Sequence, residues 1–274
     1  MTITQAEKGA AFRALHHREG AFIIPNPFDA GTARLLAHLG FEALATTSAG
    51  YAFSIGQRDN TVGRQQMMVH VKAIVDATPL PVSADLENGF GDDPETVAET
   101  IRQAAAAGLA GCSIEDSTSR AGDPIYEHAH AVERMRAAAE VAHALPFPFT
   151  LTGRAENYLI GRPDLADTIR RLQSYQEAGA DVLYAPGLRT RDDIAAVVRS
   201  VDRPVNVVMG LQGVPLTLAE LSSIGVKRIS VGSSLSRAAL GAFLRAVTEM
   251  KEKGTFTFGE EAVSYRDLSA MFGS

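Results

Sequence analysis

The chain has 274 residues, 46% hydrophobic and 21% charged, a globular balance without the composition of extended disorder. A formal net charge of −6 with no Lys/Arg run argues against a nucleic-acid or anionic-membrane partner and for a small molecule. The single cysteine, Cys112, excludes an intrachain disulfide and a multi-thiolate metal site. The lack of a signal-type N-terminus or any span of roughly 18 apolar residues completes the expectation of a cytoplasmic protein.

Along the chain, short apolar runs recur at regular joints. The first, "GAFIIPNP", ends at Pro25-Asn26. A helix-like stretch then stops at Gly40 before "FEALATT", and Pro81 opens "VSADLE". The helical pattern "DDPETVAETIRQAAAAG" follows, with Asp93 as N-cap, Pro94 as first helical residue, and Val97, Ile101, Ala104 and Ala105 on one face. Gly108 precedes "LAGCSIED", Pro148 opens "FTLTGR", and Leu165, Ile169 and Leu172 mark the next helix. Gly179, Pro204 and Gly225 introduce the last three runs. Glycine ends a helix cheaply because it accepts a left-handed backbone.

Eight strand-helix units in one chain of this length predict a (β/α)8 TIM barrel, with a doubly wound open sheet as the lesser alternative. The reading is a single domain, 1–274, with 255–274 as a C-terminal helical extension. That extension carries Phe256, Phe258, Tyr265, Leu268, Met271 and Phe272, apolar side chains that need cover.

Active sites of this fold lie at the carboxyl ends of the strands. There the sequence places Thr47-Ser48, Asp85 with Glu87, Glu115-Asp116, Arg154 with Glu156, Tyr184, Asn206 and Gly232-Ser233-Ser234. Asp85, Glu87 and Glu115 come from neighbouring strands and repel one another without a cation, which points to a hard divalent ion such as Mg2+. Asp92 and Asp93 read instead as helix caps. None of the seven histidines ends a strand, which disfavours zinc, and none of the five lysines does, which disfavours a Schiff-base aldolase. Arg154 is the one cation read on the rim, suited to a carboxylate or a developing oxyanion, or to pairing with Glu115 or Glu156. The small residues of "TTSAGYAF" offer backbone amides to an anion, and "SVGSSLSR" is either a phosphate grip or a serine cap.

These motifs together resemble the isocitrate lyase/phosphoenolpyruvate mutase superfamily over most of the chain. "ADLENGFG" is similar to its metal-binding strand, "GCSIEDS" to its Ile-Glu-Asp strand, "TGRAEN" to its Arg-x-Glu strand, "TTSAGYAFSIGQRDN" to its Ser-Gly-Gly loop with a later Asp, and "YQEAGADVLYAPG" to its sixth unit. The resemblance implies Asp85 as direct Mg2+ ligand (Mn2+ being possible), with Glu87 and Glu115 on metal waters and Asp59 supporting the shell. It implies Ser48, Ala49 and Gly50 on the substrate carboxylate, with Tyr51 beside them, and Arg154 and Asn206 on the oxyanion. Arg154, Glu115, Glu87 and Asn206 form the expected catalytic set. It also implies a homodimer or homotetramer that swaps its last helix.

The lid cysteine motif of the lyases is missing, since the region reads "STSRAGDPIYEHAHAVERM". The implied activity is a Mg-dependent carbon–carbon lyase for an α-keto or α-hydroxy (di)carboxylic acid, acting by decarboxylation or retro-aldol cleavage through an enolate-type intermediate. Phosphonopyruvate-type P–C chemistry and a non-catalytic keto-acid binder are the alternatives. Glu87, Tyr51, Tyr184 or a lid histidine are the candidate proton relays. The loop from Ser117 to about His128 is expected to close over the site, with Arg120 holding a distal carboxylate.

Overall fold

The computed structural model describes residues 3–273, so residues 1, 2 and 274 of the expected 1–274 unit lie outside it. Helix α1 (Gln5–His17) precedes β1 (Phe22–Ile24), α2 (Ala30–His38) and β2 (Leu44–Ala45). Two helices, α3 (Ser48–Ser54) and α4 (Arg64–Ala77), lead to β3 (Val82–Asp85), α5 (Pro94–Ala106), β4 (Gly111–Glu115), α6 (His128–Ala144) and β5 (Thr150–Arg154). Then come α7 (Leu165–Glu177), β6 (Val182–Tyr184), α8 (Arg191–Arg199), β7 (Val205–Val208), α9 (Leu218–Ser223) and β8 (Arg228–Ser230). The chain finishes with α10 (Ser234–Lys253), a 3-10 turn (Thr257–Glu261) and α11 (Tyr265–Phe272).

All eight strands are parallel, in the order β1-β8-β7-β6-β5-β4-β3-β2. The seam between β1 and β2 is nearly closed by Ala45 N donating to Pro25 O at 3.0 Å. Asn26 staples the same corner: its Nδ2 donates to Thr46 O at 2.9 Å, while its Oδ1 accepts from Val231 N and Gly232 N. The expected (β/α)8 barrel is therefore present, with each strand where a glycine or proline joint announced it. The joint glycines Gly40, Gly108, Gly179 and Gly225 all hold φ between 83° and 110°.

Residue parity divides each strand between two environments. Val82, Ala84, Cys112, Ile114, Leu151, Leu183, Val205 and Ile229 belong to the main core, together with buried helix residues such as Ile74, Ile101, Met135 and Leu172. The alternate positions, among them Ser83, Ser113, Thr152 and Ser230, are polar. On α5 the predicted face is buried as expected, and Asp93 caps it by accepting from Glu95 N at 2.8 Å. On α7 the buried stripe is Thr168, Arg171, Leu172 and Tyr175, so Leu165 and Ile169 sit at its edge. The stripe turns because Arg171 and Tyr175 both reach the buried Asp116.

Helix α1 seals the amino-terminal end of the barrel. Phe12 and Leu15 pack with Phe22, Ile24, Ala43 and Ala110 in a second core cluster. Gly9 approaches so closely that a Cβ there would meet Pro148 O at 2.1 Å, so only glycine fits. The extension does form a helix, α11, which lies against α2, yet Tyr265 is 89% and Phe256 70% exposed. Among the described residues no helix is long and apolar enough to cross a membrane.

Candidate active site

The carboxyl end of the barrel opens into a cavity of ≈ 210 Å³, below the roughly 300–1,000 Å³ range of drug-sized sites and thus scaled to a small metabolite. Ser48, Asp59, Asp85, Arg154, Tyr184 and Asn206 border it.

The β2–β5 wall is a knot of acids around one guanidinium. Arg154 Nη1 stands 3.1 Å from Glu115 Oε2 and 3.4 Å from Asp85 Oδ1, and its Nε donates to Glu156 Oε1. Both pairing partners expected of Arg154 are thus real, and Asp85 makes a third. Asp85 Oδ2 also accepts from Ser48 Oγ at 2.9 Å and from Ser48 N at 3.2 Å. Asp59 reaches the same serine, Ser48 Oγ to Oδ1 at 3.4 Å. Glu87 follows β3 at φ 50°, a left-handed backbone that costs a non-glycine residue roughly 1–3 kcal/mol and so marks a constrained position.

This wall carries surplus negative charge. Burial, then repulsion from Asp85 and Asp59, pushes the Glu87 carboxyl up to about 8. Burial followed by Asp85 raises Asp59, and burial raises Glu115 and Glu156 despite the opposing pull of Arg154. Glu87 Oε1 is buried with no hydrogen-bond partner. Among the described residues no three of His, Cys, Asp and Glu form an all-protein metal cage. The donor set therefore fits an oxygen-seeking ion that keeps most of its waters and takes one or two carboxylates, which is magnesium's habit and not zinc's.

The remaining expected residues divide. Thr47 caps α3, taking the Gly50 amide at 3.2 Å, and the Ser48 amide is engaged by Asp85, so two of the three expected anion-binding amides already have acceptors. Ala49 borders the cavity; Tyr51 is instead stacked on His70, with ring centroids 3.6 Å apart. Asn206 is buried, its Nδ2 on Ser230 Oγ at 3.1 Å and its Oδ1 accepting from Arg228 Nε at 2.9 Å. Of the proposed proton relays, Tyr184 borders the cavity, and burial pushes its phenol up to about 12. His128 and His130 lie on α6, bonded to Ser174 Oγ and to the Asp92 carbonyl oxygen respectively.

The structure does not bring Arg120 to the cavity. Its Nη1 pairs with Asp92 Oδ2 at 2.7 Å and its Nη2 lies 3.6 Å from Asp123. Asp92 is thereby a clamp for the 117–127 loop and not a helix cap: its carboxylate also accepts from the Tyr126 phenol Oη at 2.5 Å. Cys112 is buried in β4 and its thiol is pushed up by burial, in keeping with a packing role. Two arginines that border the cavity were not expected there, Arg228 at the start of β8 and Arg237 in the first turns of α10. A signal for Arg228 did exist: in "KRISVG" it alternates with Ser230, the polar parity of the other strands.

Comparison with known proteins bears on the same region. A protein from Burkholderia cenocepacia J2315, described only by the broad class lyase/mutase, superposes with a TM-score of 0.97 at 66% identity, covering 98% of each chain. The 2-methylisocitrate lyase of Halalkalibacterium halodurans is 28% identical over 287 residues, covering 98% of this chain and 93% of its own. Oxaloacetate acetylhydrolase, solved with its product oxalate, superposes with a TM-score of 0.86 at 25% identity, covering 98% of this chain and 94% of its own. The phosphoenolpyruvate phosphomutase family profile matches residues 12–251, a span that takes in every strand of the barrel and all the acids around Arg154. The chain belongs to that family, within the isocitrate lyase/phosphoenolpyruvate mutase superfamily, as the strand motifs implied.

Proposed function

We propose that this protein is a Mg2+-dependent lyase, with Mn2+ as a possible substitute, that breaks a carbon–carbon bond beside the keto or hydroxy carbon of a small carboxylic acid. The observation that carries this reading is the surplus of acid at the β2–β5 wall, where Asp59, Asp85, Glu87, Glu115 and Glu156 face a single Arg154 and one buried Glu87 oxygen has no partner. Asp85 would hold the ion directly, with Glu87 and Glu115 on its waters and Asp59 behind Ser48. When bound, the ion supplies charge to a substrate carboxylate and its neighbouring oxygen, lowering the cost of negative charge there.

The chain's own groups do the rest. Arg154 holds the acids in register and turns its guanidinium towards the cavity, with Tyr184's ring 5.2 Å from its centre. Ala49 leaves an amide for the substrate carboxylate, and Asn206 faces the developing oxyanion. Tyr184 retains its proton at neutral pH and is the donor we assign to the enolate carbon left when the bond breaks. Relatives in the family are lyases of carboxylic acids, such as 2-methylisocitrate lyase. A panel of oxaloacetate, isocitrate, methylisocitrate and phosphonopyruvate, each with and without Mg2+, tests the reading. Metal-dependent turnover of a carbon acid supports it, and binding of pyruvate or oxalate without any turnover replaces it with a keto-acid binder. Turnover of phosphonopyruvate alone would support P–C chemistry, for which the Arg154–Glu156 pair of the Arg-x-Glu strand is the favourable observation.

We also infer a homodimer or homotetramer assembled through the C-terminal helices. Phe243 and Leu244 on α10 are 61% and 59% exposed, and Phe256 and Tyr265 follow in the extension beyond it.

A further inference from the structure

TIM barrels usually fill their interior with Val, Ile and Leu. Here a buried guanidinium occupies that space. Arg228 is 5% exposed, donates from Nε to Asn206 Oδ1 at 2.9 Å and from Nη2 to Thr152 Oγ1 at 3.0 Å, and directs Nη1 at His16 Nε2 at 3.5 Å. His16 Nδ1 lies 2.9 Å from the Phe12 carbonyl oxygen, which places the ring proton on Nδ1 and leaves Nε2 as acceptor. Every partner is neutral. Arg154 and Arg171, also beside the strand ends, each hold carboxylates, and the buried Arg134 gathers three backbone carbonyl oxygens with the Asp92 charge nearby. Arg228 has no carboxylate partner among the described residues, and burial lowers its pKa to about 10 with only Tyr184 in opposition. A buried charge without a counter-charge is among the costliest arrangements in a fold. The cavity is open to supply a counter-charge, since Arg228, Asn206 and Ser230 all border it.

We propose that Arg228, with Ser230, forms an anion subsite at the foot of the cavity that receives a second carboxylate of the substrate, so that the site selects dicarboxylic over monocarboxylic keto acids. This rests on the keto-acid reading above and assigns to the barrel interior the role that Arg120 does not reach. The acids and Arg154 hold the reacting end of the molecule at the β2–β5 wall, and Arg228 holds the far end beneath β7 and β8. The subsite supplies affinity and orientation, and Arg228 is a specificity residue of the site.

The test measures calorimetric binding of pyruvate, oxaloacetate and 2-oxoglutarate, with Mg2+, to the unaltered protein and to Arg228→Met and Arg228→Lys. Losing one charge-assisted pair should weaken the two dicarboxylates by roughly tenfold to a hundredfold in Arg228→Met while leaving pyruvate within about twofold, and Arg228→Lys should fall between. Equal losses for all three acids, or none, would overturn the subsite and leave Arg228 a structural pillar. Failure of every acid to bind the unaltered protein would instead reject the keto-acid reading itself. If neither variant folds, a crystal structure of the unaltered protein with Mg2+ and 2-oxoglutarate decides: the second carboxylate within hydrogen-bond distance of Arg228 supports the subsite, and that carboxylate elsewhere, or a chloride ion alone beside Arg228, refutes it.

Discussion

The two sides of the cavity are electrostatic opposites. On the β2–β5 side five carboxylates share one arginine, and burial with mutual repulsion pushes several of them towards protonation. On the β7–β8 side a buried arginine has only neutral partners. Neither side is satisfied by the polypeptide alone. One lacks positive charge and the other negative charge, an arrangement that a divalent ion bound together with an anionic acid relieves on both sides at once.

Breaking the acidic side should have the largest effect. Asp85→Ala is expected to lower turnover by at least roughly a hundredfold to a thousandfold, the scale for losing a key electrostatic group, without a core cavity to unfold the barrel. Activity and Mg2+ titration calorimetry check it, and chelator-treated protein that keeps full activity would reject the metal. The same wall makes a prediction independent of turnover. Glu87, pushed up to about 8, holds a proton at pH 7, so metal binding should release protons, seen as a binding enthalpy that varies with the buffer's ionisation enthalpy. A buffer-independent enthalpy would mean that Glu87 does not titrate with the metal.

The cationic side is probed by acid. Burial, then Arg228, depresses His16 to about 3 from its ordinary 6.5. Above pH 6.5 folded and unfolded chains both leave this ring neutral, and its contribution to stability is complete. Between 6.5 and 3 only the unfolded chain takes the proton, so stability falls as pH falls, by an amount on the order of several kcal/mol by the lower limit. The raised carboxyls push the other way, so the informative quantity is the difference between the unaltered protein and His16→Gln. Urea unfolding at pH 7.5 and 4.5 should show the variant losing less stability on acidification, and parallel losses would show that His16 is not held neutral.

How much of this asymmetry was legible in the sequence depends on where strand polarity falls. The acids end their strands, and chain order together with the barrel's geometry brings Asp85 and Glu115 together, so that wall could be read from "ADLENGFG" and "GCSIEDS". Arg228 begins its strand, the end where no chemistry is expected, and only the parity it shares with Ser230 betrays it. Side-chain partners were harder still. Asp92 looked like a cap because it precedes a helix, but Asp93 takes that role and frees Asp92 for Arg120 and Tyr126. Tyr51 follows the cavity-lining Ser48 and Ala49 by only a few residues, yet the helical turn of α3 swings its ring onto His70. Such choices depend on neighbours 19 to 34 residues away, which local pattern does not encode.

A smaller effect is expected at the extension, which belongs to neither side of the cavity. Its apolar residues lie open in one chain, so light scattering at micromolar concentration should give a dimer or tetramer, and Phe256→Ser with Tyr265→Ser should shift it towards smaller species. A monodisperse monomer of the unaltered protein would contradict the assembly. Turnover in the variant tells whether either wall depends on it.

The smallest effect is expected at Arg120, which sharpens the contrast with Arg228. Arg228 lies at the foot of the cavity with neutral partners, whereas Arg120 is about half exposed outside it and already paired with Asp92 and Asp123. Exposed ion pairs contribute roughly 0–1 kcal/mol, so Arg120→Ala should cost at most about that in stability, through a looser 117–127 loop. Because its guanidinium faces the loop's own acids, the variant should bind pyruvate and 2-oxoglutarate in the same ratio as the unaltered protein. That ratio is the deciding number. A selective loss of the dicarboxylate in Arg120→Ala would mean that the loop swings over the cavity and abandons Asp92 when ligand binds, and the far end of the substrate would then belong to the loop and not to the floor of the barrel.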